Sequence, residues 1–218
     1  MSSTNTDRTE VRRIPDRGHY DRPTIDAILD EGFLCHLATV ENGAPVVIPT
    51  LYARDGDHVL FHGSAAARSL RSSRKQEVCL TVTLVDGFVL ARSGMHHSMN
   101  YRSVVVMGQP EVVEGEAKVR ALDHIVERLV PGRVEQLAPR PMTDKEIRAT
   151  TVLRLPLVEA SAKVRDGGPV DDDEDYDLPI WAGVLPVSIS YGTPITDPAM
   201  TMEMDVPANI ADYQRPTA

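Results

Sequence analysis

The chain has 218 residues, enough for one generous domain, or one domain with appendages, around a single core. With 42% hydrophobic and 25% charged residues, it is neither disordered throughout nor a fibrous repeat. A formal charge of −9 argues against a general nucleic-acid partner, whose phosphates call for a net basic face.

The N-terminus, MSSTNTDRTEVRR, is polar and lacks the apolar stretch of an export signal, so a cytoplasmic location is expected. No run approaches the roughly 18–20 apolar residues of a membrane helix. Residues 1–20 alternate charge without periodicity and read as a loose arm. Pro23 suits a first helical turn, Ile25, Ile28 and Leu29 share helical spacing, and Gly32 is a stop, which predicts a helix over 22–31. Two β-rich runs, 33–40 and 44–53, flank Asn42-Gly43, a strong hairpin signal. Asp55-Gly56-Asp57 turns the chain into a strand at 58–62, and a short helix is expected at 65–73. Further strands are expected at 78–85, 88–92 and 100–113. Val119, Leu122, Val126 and Leu129 recur on one face of a helix at 114–130. Thr143 and Glu146 have capping-box spacing for a helix at 143–149. A long strand at 151–164 and a strand-like segment at 180–195 complete the domain. Many short strands, hairpin turns and few helices predict a mainly β, antiparallel, closed or partly open barrel over residues 21–195, with a tail at 196–218.

The charge is unevenly placed. Residues 165–177 hold seven acids and one base, so this loop, expected to be solvated, carries −6 of the −9. By contrast, residues 61–75 carry Arg68, Arg71, Arg74 and Lys75 and no acid. There a strand runs into a Gly63-Ser64 turn and a short helix, an arrangement suited to an anion.

His96, His97, Asn100, Arg102 and Ser103 precede the apolar strand 104–107, which suits the rim of a ligand site. Adjacent strand residues point to opposite faces, so the tandem histidines are no chelating pair, and no metal is expected. His36 reads as an interior histidine and His124 as one on a helix surface. Cys35 and Cys79, without metal-site spacing, read as buried reduced thiols.

In order, Thr39-Val40, Asn42-Gly43, VVIPTLY (46–52), Phe61-His62 with its basic helix, VCLTV (78–82) and NYRSVVVMG (100–108) resemble the pyridoxamine 5'-phosphate oxidase-like, FMN-binding split-barrel superfamily, in its nitroimidazole-resistance branch. The resemblance implies a homodimeric split β-barrel with FMN at the subunit interface. It implies that Ile48, Pro49 and Thr50 run beside the flavin ring and that His62, Gly63 and Ser64 follow it. Arg68 would hold the phosphate, with Arg71 in reach, and Asn100, Arg102 and Ser103 would line the other side. Ser69 stands where a lysine is common in that family. The activity implied is flavin-dependent oxidation or reduction of a small organic molecule, nitroaromatics included, with His62 available for proton transfer. The alternatives within the fold are deazaflavin or haem, the latter with His62, His96 or His97 as axial ligand, or a non-catalytic flavin-binding protein.

Overall fold

The structure, a computed structural model, describes residues 4–214. Strand β1 (Gly18–His19) precedes helix α1 (Arg22–Glu31), which is followed by β2 (Leu34–Glu41), β3 (Ala44–Asp55) and β4 (His58–Ser64). Next come α2 (Arg68–Ser73), β5 (Val78–Leu90), β6 (Ser98–Gly108) and β7 (Glu111–Val113). Helices α3 (Gly115–Leu129), α4 (Arg133–Gln136) and α5 (Asp144–Ala149) lead to β8 (Thr150–Pro156) and β9 (Glu159–Arg165). A short β10 (Gly183–Pro186) and α6 (Ala208–Ala211) lie in the C-terminal segment. The strands form one antiparallel sheet in the order β1-β9-β6-β5-β2-β3-β4-β8-β7, with β10 added to the far half of β5. The sheet curls but does not close, which is the split barrel expected.

Local signals explain the elements that match their sequence pattern. Asp21 caps α1 by accepting from the Thr24 N–H at 2.9 Å. Asn42 and Gly43, at φ 51° and 80°, make the hairpin between β2 and β3. Thr143 and Glu146 form the capping box of α5.

Four expectations are corrected. The two runs expected at 78–85 and 88–92 form one strand, Val78–Leu90, because the chain bulges between Val85 and Gly87 instead of turning. Gly87 is needed there: a Cβ would stand 2.9 Å from the Val184 side chain of β10. The run 100–113 breaks at Gln109-Pro110, where proline has no N–H for the ladder. The run 151–164 is two strands joined by a corner at Leu157-Val158; β8 pairs with β4 and β7, β9 with β6 and β1. Finally, of 180–195 only Gly183–Pro186 is a strand. The N-terminal segment also lies against the barrel, with the buried Thr4 hydroxyl donating to Ala160 O at 2.7 Å.

Ile25, Ile28 and Leu29 of α1 enter the barrel and meet Leu37, Tyr52, Phe61, Leu80, Val82, Val104, Val106, Leu153 and Leu155. Each such side chain removed from water contributes about 1.5–3 kcal/mol. The Tyr52 hydroxyl donates to Leu29 O at 2.8 Å and fixes α1 in the barrel mouth. On the outside, α3 lays Ala121, Leu122 and Ile125 over Ala53, Leu60, Val113 and Val152. Burial alternates along the strands, so each residue's parity decides whether it faces the core or the outer surface. His36 thereby faces outward and is exposed, not interior. Cys35 is buried and its thiol is pushed up to about 12 by burial, whereas Cys79 is only half-buried on the outer face. His124 is half-buried on α3 and its Nε2 lies 2.8 Å from Arg54 O.

Candidate functional site

The fork between β3 and β4 organises the site. The two strands pair from Asp55/His58 to Tyr52/Phe61, then part. Beyond that point residues 44–51 pair with β2 and not with β4, and His62–Ser64 pair with β8 and not with β3. The parting places Ile48, Pro49 and Thr50 on one limb and His62, Gly63 and Ser64 on the other, with α2 directly after them. These are the residues expected to follow a flavin ring.

Their roles differ once the faces are assigned. Ile48 packs on the barrel core, while Pro49 is exposed and sits opposite His36. Val59 and Phe61 belong to the core and Leu60 to the outer cluster, so His62 points outward with Leu60. Gly63 leaves space for Leu70: a Cβ there would meet Leu70 Cδ1 at 2.9 Å. Ser64 Oγ accepts from the Ala66 N–H at 3.2 Å and shapes the turn.

His62 is half-buried, and its Nδ1 is shielded from solvent with no hydrogen-bond partner. A buried polar atom in that state costs about 1–3 kcal/mol unless a ligand or water satisfies it. Burial also pushes the imidazole below its ordinary value, which keeps it neutral at pH 7. It is therefore suited to accept a proton, donate a hydrogen bond or coordinate iron. His97 Nδ1, by contrast, lies 2.8 Å from Ser93 O, and His97 is exposed. His96 and His97 both lie just before β6, ahead of the strand as their place in the sequence predicts.

Helix α2 starts at Arg68, three residues later than expected, because Ala65 bonds to Ala149 O at 2.8 Å and Ala67 to Ser64 O. Gln76 Nε2 donates to Val40 O at 2.8 Å, tying the segment after α2 to the end of β2. Arg68 is 81% exposed, and its one ion pair is with Glu41 at 3.5 Å. Arg71, Arg74 and Lys75 are exposed and make no ion pair among the described residues. The basic island beside the fork is thus largely unneutralised.

Asn100, Arg102 and Ser103 are not brought to the fork. On β6 they are separated from β4 by β5, β2 and β3. Asn100 is buried, donating to Gly167 O at 3.0 Å and accepting from Arg165. Arg102 is bidentate to both Glu31 and Asp86, with Nε to Asp86 Oδ2 at 3.0 Å and Nη2 to Glu31 Oε1 at 2.8 Å. These carboxylates hold its guanidinium charged. Ser103 Oγ donates to Lys163 O at 3.3 Å.

The Glu31–Arg102–Asp86 triad instead lines a cleft of about 780 Å³ between the barrel mouth and the C-terminal segment. Phe33, Tyr191 and Tyr213 link it to an adjoining apolar cavity of about 330 Å³. Tyr191 and Tyr213 meet edge to face at 4.7 Å, and Tyr213 donates to Leu129 O at 2.7 Å, holding the tail in place. No local pattern announced this cleft; the only signal was two tyrosines in an aromatic-poor tail. No described helix is long and apolar enough to cross a membrane.

A family model described as pyridoxamine 5'-phosphate oxidase matches residues 21–164. Among solved structures, a flavocytochrome from Azotobacter vinelandii is 42% identical, with 98% of this chain and 99% of that one covered at a TM-score of 0.91. An FAD and haem binding protein from Mycobacterium smegmatis is 35% identical over 90% of this chain and 96% of its own, with a TM-score of 0.86. A 5-nitroimidazole antibiotic resistance protein from Bacteroides thetaiotaomicron shares the fold at 23% identity, covering 67% of this chain and 86% of its own, with a TM-score of 0.57. No curated protein matches the sequence.

Proposed function

The chain belongs to the pyridoxamine 5'-phosphate oxidase family, and from that premise we propose that it is an oxidoreductase that carries both a flavin and a haem. The observation that carries the haem half is His62, a neutral, half-buried imidazole whose Nδ1 has no partner. Support also comes from the extent of the likeness. The family model ends at residue 164, whereas the likeness to the flavocytochrome spans 98% of the chain and so includes the tail that walls the cleft.

The flavin half rests on the fork and the basic island. Pro49 borders the place where β3 and β4 part, and Arg71 makes no ion pair among the described residues while the exposed Arg68 has only Glu41 at 3.5 Å, so both are placed to meet an anionic phosphate. FMN is the sequence expectation; the Mycobacterium smegmatis relative, described as binding FAD and haem, favours FAD. When bound, a flavin supplies hydride and electron transfer and a haem iron one-electron transfer. The aromatic-walled cleft is in the size range of small-molecule sites, and we assign it to the organic substrate. The nitroaromatic expectation gains nothing from the Bacteroides protein, whose likeness is one of fold. The unpaired Cys35 and Cys79 agree with a cytoplasmic location.

The test is the absorption spectrum of the protein as purified, with the released flavin identified by chromatography. Flavin absorbance together with a Soret band is expected. Flavin without a Soret band after haem is added would remove the haem half; uptake of neither would overturn the reading. Arg68→Ala should weaken flavin binding about tenfold or more, as expected for loss of a charge-assisted phosphate contact. An unchanged affinity in a fluorescence titration would move the phosphate elsewhere.

The dimer is part of the same proposal. Leu34, Val40 and Val47 are 46%, 52% and 58% exposed along the outer face of β2 and β3, an apolar stripe that a second copy would cover. Light scattering should give twice the chain mass of 24.0 kDa, and Val47→Asp should return it to one chain mass. A wild-type protein that runs as a monomer at micromolar concentration would rule the dimer out.

A further inference from the structure

A cluster of metal-ligating side chains lies away from the fork, with two of its three members beyond residue 164, where the family match ends. We propose that His96, Asp171 and Asp175 bind a first-row divalent transition metal of the zinc class, which ties the acidic loop to the turn between β5 and β6. One ligand atom from each of the three lies within 4.8 Å of the others.

Asp171 is the anchor. Its side chain is fully shielded from solvent, its Oδ1 accepts from the Arg92 N–H at 2.9 Å, and its Oδ2 accepts from the Arg92 guanidinium at 2.9 Å. A ligand so held loses little freedom on binding. His96 supplies an independent observation: its Nδ1 is buried without a hydrogen-bond partner, 3.8 Å from Asp171 Oδ1. That gap is too wide for a hydrogen bond. It is close to the spacing of two ligands of one ion, since tetrahedral bonds of about 2.0–2.2 Å set their donor atoms roughly 3.3–3.6 Å apart. Asp175 approaches from the 3₁₀ turn Asp173–Asp175, and no described side chain pairs with its carboxylate.

Charge favours a cation. Six acids crowd residues 171–177, and among the described residues the fixed cation paired with them is Arg92, which also stacks 4.9 Å from the Tyr176 ring centre. Two carboxylates and Arg92 leave a local charge near −1 before the remaining acids are counted. The imidazole selects the metal class, because nitrogen ligands suit zinc and its neighbours while magnesium and calcium prefer oxygen. Three protein ligands leave a position for water.

The consequence is structural. The loop leads directly to Trp181, to β10 and to residues 187–191 of the cleft wall, so the ion would fix the start of the tail to the barrel. No metal-site spacing is visible around His96 in the sequence, because Asp171 and Asp175 lie far along the chain from it.

The experiment uses untagged full-length protein stripped with a chelator. Zn²⁺ titrated by calorimetry should bind at one equivalent per chain, raise the melting temperature and slow proteolysis within 166–190. Asp175→Asn and His96→Gln should each weaken binding at least tenfold, while His97→Gln leaves it unchanged. Melting of each variant in its metal-free form separates lost metal from lost fold. Absence of stoichiometric Zn²⁺ binding, or binding undiminished in both variants, would overturn the site. An equal melting shift with Mg²⁺ at the same concentration would overturn the metal class.

Discussion

His62→Ala should lose the Soret band and keep its flavin. In the proposed arrangement the imidazole is the iron ligand, so its removal should cost more than the roughly 10- to 100-fold typical of a residue that only supports a ligand. The flavin stays because its phosphate is assigned to Arg68 and Arg71 and its ring to the β3 limb of the fork. His97→Ala retains the Soret band, since that imidazole is exposed and its Nδ1 already lies 2.8 Å from a carbonyl. A haem spectrum that survives in His62→Ala would move the iron ligand to another residue and remove the observation on which the haem assignment rests.

The pH dependence of the same residue follows from its burial. His62 titrates below its ordinary value near 6.5, so the native state binds fewer protons than the unfolded chain as pH falls through that value. The neutral form's contribution to stability is present above about pH 6.5 and is lost as pH falls toward the lowered native value. Protonation also competes with iron, so haem should be held at pH 7 and released on acidification. In His62→Ala the stability curve should be flatter between pH 6.5 and 5 than in wild type, by chemical denaturation at each pH.

Phe61→Ala has the largest expected effect on stability, about 3–5 kcal/mol. Phe61 is among the bulkiest fully buried side chains of the barrel, with 0% exposure. It also sits on the last rung of the β3–β4 ladder, opposite Tyr52, immediately before His62. Truncation leaves a cavity next to the core residues of α1 and removes the packing that sets where the strands part. For a chain of this size the loss corresponds to a fall in melting temperature of roughly 6–20 °C. Phe61→Leu, which refills most of the volume, should recover the larger part. A cost under about 1 kcal/mol for Phe61→Ala would mean that the barrel can collapse around the hole.

Local chemistry made several features legible. Helix α1 runs from Arg22 to Glu31 as its spacing predicts, because its cap, its early proline and its apolar face all act within ten residues. The hairpin at Asn42-Gly43 and the capping box at Thr143 are decided over four residues each. The basic island is equally local, and it remains exposed in the fold.

Pairings between distant segments were not legible. Leu157-Val158 looks like the middle of one strand, yet the chain turns there because β8 and β9 find different partners. Arg102 reads as a residue beside the flavin, yet in the fold Glu31, 71 residues away, and Asp86 hold its guanidinium in the wall of the cleft. Asp171 reads as solvated until Arg92, 79 residues away, buries and holds it.

By itself, the sequence determined the split-barrel class, the helices with strong caps and the placement of four positive charges after His62, because each rests on contacts between near neighbours in the chain. Only the tertiary structure decided that His62 faces outward with an unsatisfied nitrogen, that Arg102 lies elsewhere, and that His96 meets Asp171. Those outcomes depend on strand order, and strand order depends on long-range pairing that no short window of residues encodes.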